Sequence, residues 1–262
     1  MTSGKVSKRR RREARVPPPP GARRQASPKV LIGAALAVAL IVLAIVLGFV
    51  FTGGSSSSST PARGSLAGGL PGAADAQRLF RGIPQHGNVL GSPKAPVTVV
   101  EYVDLQCPFC QEFETKAMPT LLSRYVRPGK VKIEARPIAF IGPDSERGRA
   151  GALAAAEQNR LFNYMQLLYL NQGTENTGWL NDDVIKSAAA SIPGLDANRL
   201  QSDRGSDSVK SQMDTLDAQA DKANVNSTPT IYVVHKGGKP RLVTLTAPGD
   251  PSALETAITT AG

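Results

Sequence analysis

Apolar and polar positions divide this chain into three textures. Val30 to Phe51 is a 22-residue run without a charged side chain. As a helix rising 1.5 Å per residue it would span about 33 Å, enough to cross the apolar core of a bilayer. The run is longer than the apolar core of a secretory signal, and no small-x-small pattern closes it. It predicts one uncleaved N-terminal transmembrane helix over residues 30–51. Residues 52–75 then turn to Gly, Ser and Ala, with Ser55 to Ser59 at the centre. That composition predicts a flexible linker reaching about 25–30 Å. From residue 76 the texture is globular, and a single domain is expected over 76–262.

Within the domain the periodicities alternate. Val97 to Val103 is β-branched and nearly continuously apolar, as a strand covered on both faces would be. A helix follows from Pro108 to about Val126, with Pro119 expected to kink or break it. Val131 to Ala135 alternates as a second strand. Leu161, Met165 and Leu168 then share a helical face, as do Val209, Met213, Leu216 and Ala220. Leu180 to Ile192 and Asp196 to Asp203 read as shorter helices, Asp196 being an N-cap. Thr230 to His235 and Arg241 to Thr246 flank Gly237-Gly238 as a hairpin, and Asp250 caps a last helix opened by Pro251. No repeat is visible. Strands enclosing a helical block describe an α/β layout.

Charge changes the picture only at the N-terminus. The net charge is +10, but ten of the 31 Lys and Arg residues and only one acid, Glu13, precede Val30. The remainder is nearly neutral, so the folded part presents no case for a nucleic-acid partner. Only Arg63 lies within about 15–20 residues after the apolar run, so the positive-inside rule makes residues 1–29 a basic cytoplasmic tail. Pro17 to Pro20 extend it locally as polyproline II. Attraction to anionic lipid head groups would suit the same residues, although topology alone accounts for their charge. The domain is then extracytoplasmic, where disulfides persist. No cysteine directly closes the span, which excludes a lipid-modified N-terminus.

Candidate chemistry sits at Cys107-Pro108-Phe109-Cys110, the only two cysteines of the chain. This spacing suits a redox disulfide, half of a zinc site or a structural clip. A zinc site needs two more ligands, and His86 and His235 do not form a ligand-like pair. A clip around so short a loop constrains the unfolded chain little. Pro108 favours the redox use. Proline suits the first helical position, which makes Cys107 the N-cap and puts Cys110 one turn inside. Unpaired amides and the positive helix end then favour the Cys107 thiolate. An attacking and a less exposed resolving sulfur are what thiol–disulfide exchange requires. Glu101 interrupts an apolar strand. It either faces solvent or is buried with a raised pKa, ready to pass a proton to or from Cys110. His86, His235 and Trp179 read as a loop or strand-end pair and a core residue of the helical block.

Glu101-Tyr-Val-Asp-Leu-Gln-Cys107-Pro-Phe-Cys110, with Thr228-Pro229-Thr230 before a late strand, resembles the DsbA-like thiol:disulfide oxidoreductases of the thioredoxin superfamily. The resemblance extends over about residues 83–262 and takes in Gly87 to Gly91 and a helical segment from Asn171 to Asn176. It implies a thioredoxin-like fold with a helical insertion at about 143–222. It implies Cys107 as nucleophile and Cys110 as its resolving partner, with Glu101 the buried acid beneath them. Pro229 is implied to be cis beside the pair, and Pro108, Phe109, Thr228 and Pro229 to meet the substrate, Thr228 through its backbone as for an added strand. No cofactor beyond the Cys107–Cys110 disulfide is implied. The implied partners are exported cysteine-containing clients and a membrane recycling protein, DsbB-like or vitamin K epoxide reductase-like. Phe109 departs from the pattern, since the best-known oxidants carry His there. The expected activity is oxidation of client cysteine pairs. A reductase or isomerase of the same fold, or a tethered peptide-binding or chaperone module with a structural disulfide, would share these features.

Overall fold

The computed structural model describes residues 69–260. The basic tail, the apolar run and most of the Gly/Ser linker lie outside the described residues. Among the described residues no helix is long and apolar enough to cross a membrane.

Strand β3, Val97–Val103, lies at the centre of a six-stranded sheet of order β1-β2-β4-β3-β5-β6. Its neighbours are β4, Val131–Pro137, in parallel and β5, Thr230–His235, antiparallel. The short strands β1, Gln85–His86, and β2, Val89–Leu90, extend one edge, and β6, Arg241–Val243, forms the other. The Gly87 to Gly91 motif thus makes the β1–β2 turn and its exit. Gly91 has φ +105°, and a Cβ there would come within 3.1 Å of the Val131 carbonyl oxygen. Only glycine meets both demands without strain.

The continuous apolarity of β3 follows from its position. Val99 and Val103 face the main core with Ile133 and Val233, while Val100 and Tyr102 pack in a second cluster with Ile138 and Ala220. In β4 burial alternates, because only one of its faces is covered so fully. Helix α1, Ala73–Phe80, precedes the sheet and has no counterpart in the sequence reading.

The segment after β3 departs from expectation. Helical backbone continues through Pro119, but the α ladder is interrupted just before it. The path runs from α2, Pro108–Glu112, through a π-helical turn at Phe113–Ala117 into α3, Met118–Leu121, and a second π turn at Leu122–Val126. The wide first turn restarts the α ladder at Met118. Pro119 therefore falls at the start of α3, where its missing N–H is not needed.

The insertion is five helices: α4 Pro143–Ala156, α5 Leu161–Leu170, α6 Asp182–Ala190, α7 Ala197–Asp203 and α8 Asp207–Lys222. Asp196 caps α7, accepting from the amides of Asn198 and Arg199. Helix α5 is buried almost all round rather than on one face. Helix α6 begins two residues after Leu180 because Asn181 takes the cap, its side chain accepting from Val184 N–H. Asn171 to Asn176 is not helical; it is the turn and loop after α5. Strand β6 is three residues long, stopping at Val243. The last helix, α9, is Ser252–Thr259 with Pro251 at its cap, one residue later than expected. Asp250 still serves it, accepting from Ser252 N–H and the Ser252 hydroxyl.

Candidate active site

At the end of β3 the chain turns through Asp104 to Gln106 and enters α2. Cys107 is the N-cap, with φ −71° and ψ 120°, and Pro108 takes the first helical position. No side-chain capping hydrogen bond closes here, but the amides of Phe109 and Cys110 face the sulfur. Opposite stands the Thr228–Pro229 peptide, which is cis. The Cys107 thiol donates to the Thr228 carbonyl oxygen at 3.3 Å. Both cysteines are free thiols, Cys107 retaining 5% of its surface and Cys110 none.

The two sulfurs are pulled in opposite directions. A hydrogen bond from the Cys110 thiol is the main cause that lowers Cys107 to about 6. The Thr228 side chain and the two helix-start amides assist, against the cost of burial. The thiol-to-carbonyl bond at Thr228 favours the neutral form, whereas its side chain favours the anion; the helix start and the Cys110 thiol decide for the anion. Cys110 is raised well above a normal thiol by burial first and then by Cys107 itself.

Around Tyr169, behind the pair, lies a cluster of buried acids. Glu101 is fully buried on the main-core face of β3. Its register neighbours on the flanking strands, Ala135 and Ile231, are apolar and offer no cation. Its nearest charged partner is Glu114, from the first π turn and 2% exposed. Both Glu101 oxygens and Glu114 Oε1 lack any donor. Two carboxyls facing each other without donors must hold a proton between them. Desolvation accordingly raises both: Glu114 to about 8, and Glu101 well above the usual range with the Glu114 charge adding to it. Tyr169 closes the cluster, its hydroxyl kept neutral by burial and by Cys110, Glu114, Asp104 and Glu101 around it.

Asp104 is a different buried acid. Its Oδ1 accepts from Gln106 N–H at 2.8 Å and the Ser145 hydroxyl at 2.7 Å, and Oδ2 from the amides of Phe140 and Ile141 at 2.7 and 2.9 Å. Four donors meet its two oxygens, so Asp104 ties the end of β3 to the loop after β4.

Phe109 projects outward, 59% exposed, and lines an open groove of about 490 Å³ with Thr228, Pro229, Tyr232, Leu242 and Pro248. Leu242, on edge strand β6, is also 57% exposed. The structure thus brings Cys107, Cys110, Pro108, Phe109, Thr228 and Pro229 to one end of the sheet, with Glu101 behind them. His86 and His235 lie apart: His86 is exposed on β1, and the His235 ring meets the Ala257 carbonyl oxygen at 3.1 Å. Trp179 is half-buried against the core rather than inside it. Among the described residues no group of His, Cys and acids could hold a metal ion. The sequence reading missed Glu114 and Asp104. Glu114 had a signal, lying four residues after Cys110 beside the buried Phe113; Asp104 had none beyond being an acid at a strand end.

A family described as Thioredoxin matches residues 85–242, more than half of the chain. The chain belongs to the thioredoxin family. Among curated relatives, the probable disulfide bond formation protein D of Bacillus cereus is 30% identical over 147 residues, 55% of this chain and 68% of that protein. Disulfide bond formation protein D of Bacillus subtilis is 29% identical over 153 residues, 56% of this chain and 68% of that one. The oxidised BdbD structure from Bacillus subtilis shares the fold, with a TM-score of 0.58 at 23% identity over 67% of this chain and 95% of that one. Within the thioredoxin family the chain is DsbA-like, and it is a thiol:disulfide oxidoreductase with its Cys-x-x-Cys pair at Cys107 and Cys110.

Proposed function

We propose that this DsbA-like protein is a membrane-anchored, extracytoplasmic oxidant that introduces disulfides into exported proteins. One observation carries the reading: a low-pKa sulfur at a helix start, beside an open groove, with a high-pKa sulfur buried behind it. From the oxidised form, a client thiolate attacks Cys107 Sγ and the Cys107–Cys110 bond breaks, releasing Cys110 as a thiolate. That anion lies where its pKa is raised, so it takes a proton, and the buried Glu101–Glu114 pair is the source we assign to it. A second client thiolate then attacks the client sulfur of the mixed disulfide. The client disulfide forms and Cys107 leaves as a stabilised thiolate. Cys107 is the nucleophile of the reverse step, Cys110 the resolving partner and Glu101 the proton relay. Pro108, Phe109, Thr228 and Pro229 frame the client.

The uncharged run 30–51 with its basic flank supports the anchor and the outward placement of the domain. The names of the Bacillus relatives support the oxidising direction. The chain has no second cysteine pair, so reoxidation falls to a separate membrane partner, DsbB-like or vitamin K epoxide reductase-like. Phe109, which cannot hydrogen-bond a thiolate, favours a reductase as the second reading.

The deciding experiment is the redox equilibrium of the protein against glutathione, with oxidation of a reduced, unfolded client alongside. A potential nearer DsbA's, about −120 mV, than thioredoxin's, about −270 mV, supports the oxidant. A potential at the thioredoxin end, with disulfide reduction instead of formation, supports the reductase.

A further inference from the structure

The loop Asp104 to Cys107 connects β3 to the Cys-x-x-Cys helix and is buried along its whole length. Backbone groups of a buried loop outside sheet and helix must find partners. Here the partners come from the helical insertion. The Tyr169 hydroxyl donates to the Asp104 carbonyl oxygen at 3.2 Å. The Gln106 side chain accepts from Asn176 N–H at 2.8 Å and donates to the Ser145 hydroxyl at 2.9 Å. Gln172, just past the end of α5, makes the closest approach to the chemistry. Its amide donates to the carbonyl oxygens of Leu105, at 2.9 Å, and of Cys107, at 3.1 Å. In return Gln111, on the Cys helix, donates to the Tyr169 carbonyl oxygen at 2.8 Å.

Gln172 thus places both donors of one NH₂ group on carbonyls two residues apart, one of them belonging to the N-cap. The Cys107 carbonyl also starts the helix, accepting from Gln111 N–H at 3.0 Å. Fixing the carbonyls of 105 and 107 fixes the turn that presents the sulfur to the helix-start amides. The helix-end contribution to a thiolate falls off within a turn, so small displacements of that turn matter.

We propose that Gln172 is a positioning residue for thiol exchange: through the carbonyls of Leu105 and Cys107 the helical insertion holds the Cys107 sulfur at the helix start and so sets how readily it leaves a disulfide. The proposal rests on the exchange reading above. It assigns the insertion a part in the redox chemistry besides its packing. Only the reduced form carries charge on Cys107, so a lost clamp weakens the reduced form more than the oxidised one. A purely structural bond would weaken both alike and leave their ratio unchanged.

The test uses the full chain with Gln172→Leu, which keeps bulk and loses the donors, and Gln172→Glu, which turns an acceptor charge on the same carbonyls. The readouts are the Cys107 titration followed by thiolate absorbance and the equilibrium with glutathione. Gln172→Leu is expected to raise the titration midpoint by about half to one unit and to make the reduced form about 3- to 10-fold less favoured. Gln172→Glu shifts both further in the same direction. A lower melting temperature with both redox readouts unmoved overturns the proposal. If either variant does not fold, Tyr169→Phe removes only the hydroxyl bond to Asp104. It should shift both readouts the same way by about twofold, and no shift overturns the proposal. Wild-type protein inert toward glutathione would instead sink the exchange reading itself.

Discussion

In front of the cysteine pair and behind it, the protein builds two opposite environments three residues apart. Both cysteines keep little exposed surface, but Cys110 is the more deeply buried. The front sulfur, Cys107, meets donors: the Cys110 thiol, the Thr228 side chain and the helix-start amides. The back sulfur, Cys110, is fully buried and faces Cys107, and the Asp104 backbone and the Thr228 side chain offset this only in part. What a buried group faces therefore sets its charge. Desolvation dominates at Cys110, whereas at Cys107 a few directed donors outweigh it. That contrast also separates the roles in exchange, because the better leaving thiolate is the one clients can reach.

The largest break in this asymmetry is to delete one sulfur. Cys107→Ser should reduce exchange to background, whereas Cys110→Ser should accumulate mixed disulfides with clients, seen as adducts on non-reducing gels. Next is the acid pair. Glu114 has its pKa raised in the folded protein, so its contribution to stability is full below about 4.5 and is lost as pH rises through about 8. Glu114→Gln should flatten the stability–pH curve in that window and add on the order of 1–3 kcal/mol at pH 8, measured by urea unfolding. Glu101→Gln should slow exchange roughly ten- to a hundredfold near neutral pH with the fold intact, and an unchanged pH–rate profile would end its relay role.

A finer probe is the pH dependence of alkylation of reduced protein. One thiol should react with a midpoint near 6, and the other should stay unreactive to well above pH 9. The sign for stability runs opposite to that of Glu114. The depressed Cys107 pKa stabilises the reduced form above about pH 8.5, and that gain is lost as pH falls through about 6. The gap between reduced and oxidised stability should close accordingly. The smallest expected effect comes from the exposed rim. Phe109→His adds a donor beside Cys107 and should favour the thiolate about two- to fivefold, read in the glutathione equilibrium.

The local part of this site was legible in the residues themselves. The spacing of the two cysteines, Pro108 at a helix start and the apolar run leading into it fix a strand–helix junction with sulfur at the cap, because those preferences are short-range. The periodic stripes and the Gly/Pro punctuation marked most elements for the same reason, although π turns around Pro119 and the non-helical Asn171 to Asn176 escaped. What tertiary structure decided is everything that depends on distant segments meeting. Glu101 faces Glu114 with no cation because Ala135 and Ile231 happen to register beside it across two strand pairings. The Thr228 carbonyl reaches Cys107 across 121 positions of chain. Gln172 grips the active-site loop from inside an inserted helical block. Pattern and propensity act over a few residues, whereas desolvation and hydrogen-bond partnership belong to the packed fold.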